Sequence, residues 1–226
     1  MWGKYDRIYL LSGDNRAYRR APVMRELERV GIDKHPGFAM LRGSFPSGHA
    51  AHFRAIMDFA NCNKDGRCLL LEDDIRFLKD VGRLAEIVES APNADIVSFD
   101  AFFHLTPKDL AKRDGHPFMY WTPGIYGTSC YSLSKVAVHA LALSYVRHPS
   151  EPADSHLFLG HQDLCTVVSS FNACVQLTYM DSDNSQKFGI DVQHKYYEAQ
   201  GVDYSLYNLP DGYGYGHFID KSGAVI

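Results

Sequence analysis

The chain has 226 residues, 46% of them hydrophobic and 22% charged, with a formal net charge of −4. That length suits one domain with a substantial core, and the mild acidity gives no electrostatic ground for nucleic acid or an anionic membrane as partner. No run of about 18 apolar residues occurs, and the opening MWGKYDRIYLL is too short and too charged for a secretory leader, so the expectation is a cytoplasmic protein with no membrane span.

From Arg7, RIYLL predicts a strand that stops at SGDN, where every residue favours a turn. Val23, Leu27 and Val30 share one face of a helix that Gly31 can end. PSGHAAHFRAIMDFA predicts a second helix, capped by Ser47, with Phe53, Ile56, Met57 and Ala60 at helical spacing. The apolar run CLLL, Cys68 to Leu71, predicts a strand covered on both faces. A helix carrying Val81, Leu84, Ile87 and Val88 follows, and then a strand over Ala94 to Ala101. Beyond Phe103 the chain turns rich in aromatics, glycine and proline, which predicts shorter strands and loops built onto the sheet. A helix from about Lys135 to Tyr145, a polar loop holding Asp154, a helix after GHQD and a tail either mobile or wrapped over a site complete the pattern. The five cysteines are odd in number and include no CxxC pair, which argues against a disulfide framework or a structural zinc site.

Strands alternating with amphipathic helices predict an α/β fold, a mostly parallel central sheet flanked by helices with a smaller mixed region. Ligands of such sheets sit outside the carboxyl ends of the strands, here beside SGDN, EDD and FDA, each of which carries aspartate. Glu72, Asp73 and Asp74 run straight on from a buried strand, and three adjacent carboxylates need either full solvation or a cation. One or two of them can hold magnesium or manganese through oxygen and leave positions open for substrate phosphates. The plainer alternative is a solvated acidic turn. In LLSGDNRAYRR, small polar residues and then Arg16, Arg19 and Arg20 suit a nucleotide, unless they are a basic surface patch on an ordinary helix. Neither GxGxxG nor GxxxxGK[ST] is present.

Four segments in register resemble glycosyltransferase family 25, the lipopolysaccharide and collagen galactosyltransferase type. LSGDNRAYRR stands where that family has an NLDRRxDR-like segment, keeping Asp14, Arg16 and Arg19 but with Ser12 in the place of an asparagine. Ala51, His52, Phe53, Arg54 and Ala55 stand where it has Ser-His-Leu-Arg-Ala, so its serine is missing here. Leu71 to Asp74 match its LEDD in full, and GTSCYSLSKVAVHAL is similar to its segment before a later helix. The resemblance, from about Arg7 to Leu157, implies a single GT-A domain, with 1–103 binding the nucleotide sugar and 104–226 serving the acceptor side. It implies an inverting transferase of glycan biosynthesis with a UDP-sugar donor, a glycan acceptor and a Mn2+ or Mg2+ cofactor. Leu11, Ser12, Asp14, Arg16, Arg19, His52, Glu72, Asp73 and Asp100 would then face the donor, and Asp74, Asp73 and His194 the metal, with His217 the alternative histidine.

Inverting transfer needs one carboxylate to take the proton from the attacking hydroxyl. Asp163 in GHQD and Asp154 are the candidates, although aspartate is also common in a helix's first turn for capping alone. Tyr120, Trp121 and Tyr126 can stack on a sugar ring or serve only as core. PSGH also occurs in the type-2 phosphatidic acid phosphatases, but the basic and histidine segments that flank it there are missing here. A sugar-nucleotide-binding module without turnover is the remaining alternative.

Overall fold

The computed structural model describes residues 1–45, 48–100, 102–103, 118–120, 125–151, 153–159, 164–181 and 192–226, with 102–103, 119–120, 125–126, 154, 158–159 and 192–193 in backbone only. Pro46, Ser47, Trp121 and Asp163 lie outside these residues, and with them the expected cap of the second helix.

The first expected strand forms as β1 (Arg7–Gly13). SGDN then leads into a 3-10 helix over Asp14–Arg19, followed by α1 (Arg20–Arg29). A strand that the sequence reading did not anticipate, β2 (Phe38–Gly43), pairs parallel to β1 with Ile8 opposite Phe38. It enters the sheet through Gly37, where a Cβ would lie 2.1 Å from the Asp6 carbonyl oxygen, so only glycine lets the two chains approach this closely. Next come α2 (Gly48–Asn61), β3 (Arg67–Glu72), β4 (Ile75–Phe77) and α3 (Val81–Ser90), the last capped by the Asp80 carboxylate on the Arg83 N–H. β5 (Ile96–Ser98) is shorter than the expected strand and places Asp100 just past its end. The mixed region supplies β6 (Phe102–Phe103), β7 (Phe118–Tyr120), β8 (Ile125–Tyr126) and β9 (Cys130–Ser134). α4 (Lys135–Arg147), capped by Ser134, and α5 (Ala153–Leu159) follow, so Asp154 sits on a helix and not in a loop.

After GHQD the structure holds β10 (Thr166–Ser169) instead of the expected helix. Thr166, Val167 and Val168 are β-branched and buried, and they slot in parallel beside β5 with β7 antiparallel on their other side. β11 (Cys174–Gln176) pairs antiparallel to β4, and α6 (Val192–Ala199) precedes the tail.

Among the described residues the central sheet has seven strands in the order β2-β1-β3-β9-β5-β10-β7. β9 and β7 run against the rest, so β2, β1, β3, β5 and β10 all point their carboxyl ends to one edge. The sheet is thus mostly parallel and flanked by helices, as the alternating pattern predicts. Strand alternation sends Leu69 and Leu71 of β3 into one core, with α1, α3 and the tail, and Cys68 and Leu70 into the other, with α2 and α4. The tail is wrapped and not loose: Tyr204, Tyr207, Tyr213 and Ile219 are buried, and isolated bridges tie Tyr207 to Leu78 and Ile219 to Tyr179. No helix of the described residues is long and apolar enough to cross a membrane.

Candidate functional site

Register brings the acidic motif to the ligand edge. Leu11 near the end of β1 lies opposite Glu72, the last residue of β3. Asp73 and Asp74 then turn the chain into β4, and the Asp74 carbonyl accepts from the Leu177 N–H at 2.6 Å, so the motif is pinned by backbone on both sides of its acids. Asp73 and Asp74 are each 4% exposed, far from the solvated turn that three acids would otherwise form.

Each acid is handled differently. Glu72 Oε1 faces His52 Nε2 at 3.0 Å and accepts from Thr128 Oγ1 at 2.9 Å, while its Oε2 accepts from Gln176 Nε2 at 2.9 Å. Burial works to raise the Glu72 carboxyl, but His52, Thr128 and nearby Arg16 outweigh it and hold it below the usual carboxylate range. Asp73 and Asp74 share Arg19, whose Nη1 lies 3.5 Å from Asp73 Oδ1 and 3.2 Å from Asp74 Oδ2. Burial dominates for both. It raises Asp73 against the opposing pull of Arg19, and it pushes Asp74 up to about 7 with the negative charge of Glu72 adding to it. The same Gln176 amide donates to Asp74 Oδ2 at 3.2 Å, which ties the first acid to the third.

Two oxygens, Asp73 Oδ2 and Asp74 Oδ1, are buried without a hydrogen-bond partner among the described residues. Buried carboxylate oxygens are seldom left so. Two open, hard oxygen donors on adjacent aspartates fit magnesium or manganese. Among the described residues no group of three or more histidine, cysteine, aspartate or glutamate side chains is arranged to hold a metal ion. His194 Nε2 stands 3.1 Å from Thr178 Oγ1 and 2.9 Å from the Tyr213 hydroxyl, its Nδ1 accepts from the Gly216 N–H, and its ring stacks on Phe218. His217 is exposed on the tail.

Beside the acids lies a groove of about 130 Å3, lined by Leu11, Gly13, Asn15, Arg16, His52, Glu72 and Asp73 with Phe45, Gly48 and Ala51. Of the expected nucleotide-facing residues, Leu11, Arg16, His52, Glu72 and Asp73 line it. Ser12 is buried behind it, bonded to Arg20 Nε at 3.1 Å, and Asp14 is exposed and paired with Arg20 Nη2 at 2.7 Å. Arg19 does not line the groove: it is fully buried, with Nη2 on Asp181 Oδ1 at 3.1 Å and its Cζ 4.2 Å from the Tyr179 ring centroid. His52 is fixed from behind by Tyr131, whose hydroxyl lies 2.9 Å from Nδ1.

Asp100, past the end of β5, is fully buried; its Oδ1 accepts from the Tyr197 hydroxyl at 2.9 Å and its Oδ2 has no partner among the described residues. Burial pushes its carboxyl up to about 7 against the hydrogen bonds of Tyr197 and Ser129. Tyr197 also accepts from the Gln176 N–H at 3.0 Å, so a chain of contacts runs from Asp100 through Tyr197 and Gln176 to Glu72 and Asp74. Gln176, Asp181, Thr128 and Tyr197 were missed by sequence reasoning. CVQLTY does carry a period-two signal, with Gln176 and Thr178 on one face of a strand. Nothing in the sequence pairs Asp181 with Arg19 across 162 residues.

No known family pattern matches the chain, and no curated protein matches it by sequence. Solved structures do resemble it in outline. The glycosyltransferase GlyE of Streptococcus pneumoniae TIGR4 aligns over 90% of this chain and 62% of its own, at 9% identity and a TM-score of 0.45. The galactosyltransferase LgtC, solved with donor and acceptor sugar analogues, aligns over 90% and 97%, at 10% identity and a TM-score of 0.43. A glycosyltransferase involved in glycosylation of the major capsid of PBCV-1 aligns over 86% and 89%, at 16% identity and a TM-score of 0.42. At these values the likeness is one of general architecture, and the site's own chemistry has to carry any functional reading.

Proposed function

We propose that the chain is a GT-A glycosyltransferase that moves a sugar, with inversion, from a UDP-sugar to a glycan acceptor, with Mn2+ or Mg2+ as cofactor. The observation that carries the reading is the pair of unpartnered carboxylate oxygens on Asp73 and Asp74 beside a groove at the carboxyl ends of a mostly parallel sheet. The groove takes one part of such a donor, a ribose or a phosphate, and the remainder lies along the open edge. Arg16, the cation that lines it, pairs with phosphate oxygens. Glu72, held ionised and oriented by His52, Thr128 and Gln176, accepts from the ribose hydroxyls. Asp73 and Asp74 would hold the metal, which would supply charge neutralisation for the departing diphosphate. The base is Asp163 or Asp154: the first lies outside the described residues, the second on α5.

The test is thermal melting of the protein and of Asp74→Ala with UDP, alone and with manganese, read as the shift each ligand causes. A ligand at about 100 times its dissociation constant adds about 2.7 kcal/mol to the folded state. The expected result is stabilisation of the unaltered protein by UDP only with metal, absent in Asp74→Ala. No response from either protein, with GDP as well as UDP, would sink the nucleotide-sugar reading. Hydrolysis of UDP-sugars then separates a transferase from a module that only binds.

A further inference from the structure

Arg19 stands among the residues that sequence reasoning set facing the donor, yet it is turned away from the groove and into the acids. Its guanidinium is engaged on every edge. Nη1 serves Asp73 and Asp74, Nη2 serves Asp181, Nε points to the Tyr18 hydroxyl at 3.3 Å, and the Tyr179 ring covers its face. Tyr18 in turn donates to Asp181, so the third carboxylate is itself fixed. With its side chain fully enclosed, Arg19 reaches a ligand in the groove only by abandoning two buried aspartates.

The division of oxygens is what sets this apart from an ordinary buried ion pair. Most buried ion pairs meet their remaining oxygens with further hydrogen bonds. Here Arg19 takes Oδ1 of Asp73 and Oδ2 of Asp74, and the other oxygen of each remains open. With both carboxyls ionised the pair carries a charge of −2, and with Arg19 a charge of −1. Arg19 thus offsets one of those charges, and a free divalent ion arriving at the open oxygens meets a weaker field than the acids alone would present.

We propose that Arg19 is a resident counter-cation of the acid motif: it holds Asp73 and Asp74 in place when no metal is bound and weakens the capture of a free divalent ion. Removing its charge turns the two aspartates into a free-standing cation site. The inference rests on the metal-binding part of the reading above and on no part of the nucleotide or transfer chemistry.

The experiment uses manganese chloride with no nucleotide, on the unaltered protein, Arg19→Met and Arg19→Lys, followed by melting in chelator against excess metal and by calorimetric titration. The unaltered protein is expected to melt alike in both media and to bind manganese weakly. Arg19→Met should melt lower in chelator, recover most of the loss in manganese and bind the ion roughly tenfold more tightly or better. Arg19→Lys keeps the charge and should follow the unaltered protein. Equal melting of Arg19→Met in the two media, or manganese binding by the unaltered protein as tight as by the variant, overturns the proposal. Folding of Arg19→Met in manganese alone is the expected result in its strongest form. Should it fold in neither medium, Asp181→Asn decides, because it loosens Arg19 and leaves Asp73 and Asp74 intact: tighter manganese binding supports the proposal and unchanged binding refutes it. A missing response to UDP, by contrast, removes the donor reading and leaves this result standing.

Discussion

Replacing Asp100 by asparagine should flatten the pH dependence of stability near neutrality. Asp100 has no exposed surface, Tyr197 and Ser129 as hydrogen-bonding neighbours, and one oxygen without a described partner. Burial raises its carboxyl to about 7, whereas in the unfolded chain it titrates near 3.9. Because the folded value is the higher one, the folded state holds the extra proton through the window from about 4 to about 7. The resulting stabilisation is complete below that window and is lost as pH rises through about 7. With those two values, the group's contribution falls by roughly 1 kcal/mol between pH 6 and pH 8, and by roughly 2–3 kcal/mol from pH 5 to pH 8. Asparagine keeps the oxygen that accepts from Tyr197 and cannot titrate. The assay is a set of denaturant melts at pH 5, 6, 7 and 8 on both proteins, taken as a difference so that other titrating groups, Asp74 among them, cancel. Parallel pH profiles for the two proteins would mean that Asp100 is ionised throughout and that burial does not raise its carboxyl.

Two further substitutions test the geometry that delivers the site. Gln176→Leu keeps the volume but strips the amide from Glu72 and Asp74; at about 1.5–3 kcal/mol for a hydrogen bond to a charged group, it should destabilise by that order and shrink the response to UDP with manganese. A normal melting shift with ligand in that variant would show that Gln176 is structural only. Gly37→Ala puts a Cβ 2.1 Å from a backbone oxygen that cannot yield without moving β1, so a loss on the order of 1–3 kcal/mol is expected in urea melts. A neutral result there would mean that β2 enters the sheet differently.

The parts of the fold legible in the sequence were those with a local period. CLLL was readable as a strand buried on both faces because each of Cys68, Leu69, Leu70 and Leu71 goes into a core. α3 and α4 were readable because their apolar residues recur every three or four positions. What was not legible depended on partners distant in sequence. FAMLRG, β2, has no strict alternation and is only partly buried at an edge, so nothing marks it apart from its pairing with β1. The helix expected after GHQD gave way to β10 because TVVS is a β-branched run with a vacant sheet position beside β5. Of the site, EDD and Arg16 were visible as charged residues at strand ends. Arg19 looked equivalent to Arg16 in sequence, yet three positions along a kinked 3-10 helix carry one to the groove and the other behind the acids.

That difference bears on how a buried strand can end in three acids at all. Glu72 has donors for both oxygens and so stays ionised at the mouth of the groove, with about a quarter of its side chain exposed. Asp73 and Asp74 have one fixed cation between them, which meets half of their oxygens and no more. A design for stability alone would have supplied donors for the rest, since an unmet buried oxygen costs about 1–3 kcal/mol. The cost is incurred at the edge where β1, β3 and β5 end together, next to a groove that also presents an arginine and an ionised glutamate. Strain in satisfying polar groups tends to persist where it serves binding. The unmet oxygens belong to the turn that follows β3, one residue on from Glu72, and Asp73 shares the groove lining with Arg16; a cation-bridged phosphate, as proposed above, would engage both features at once.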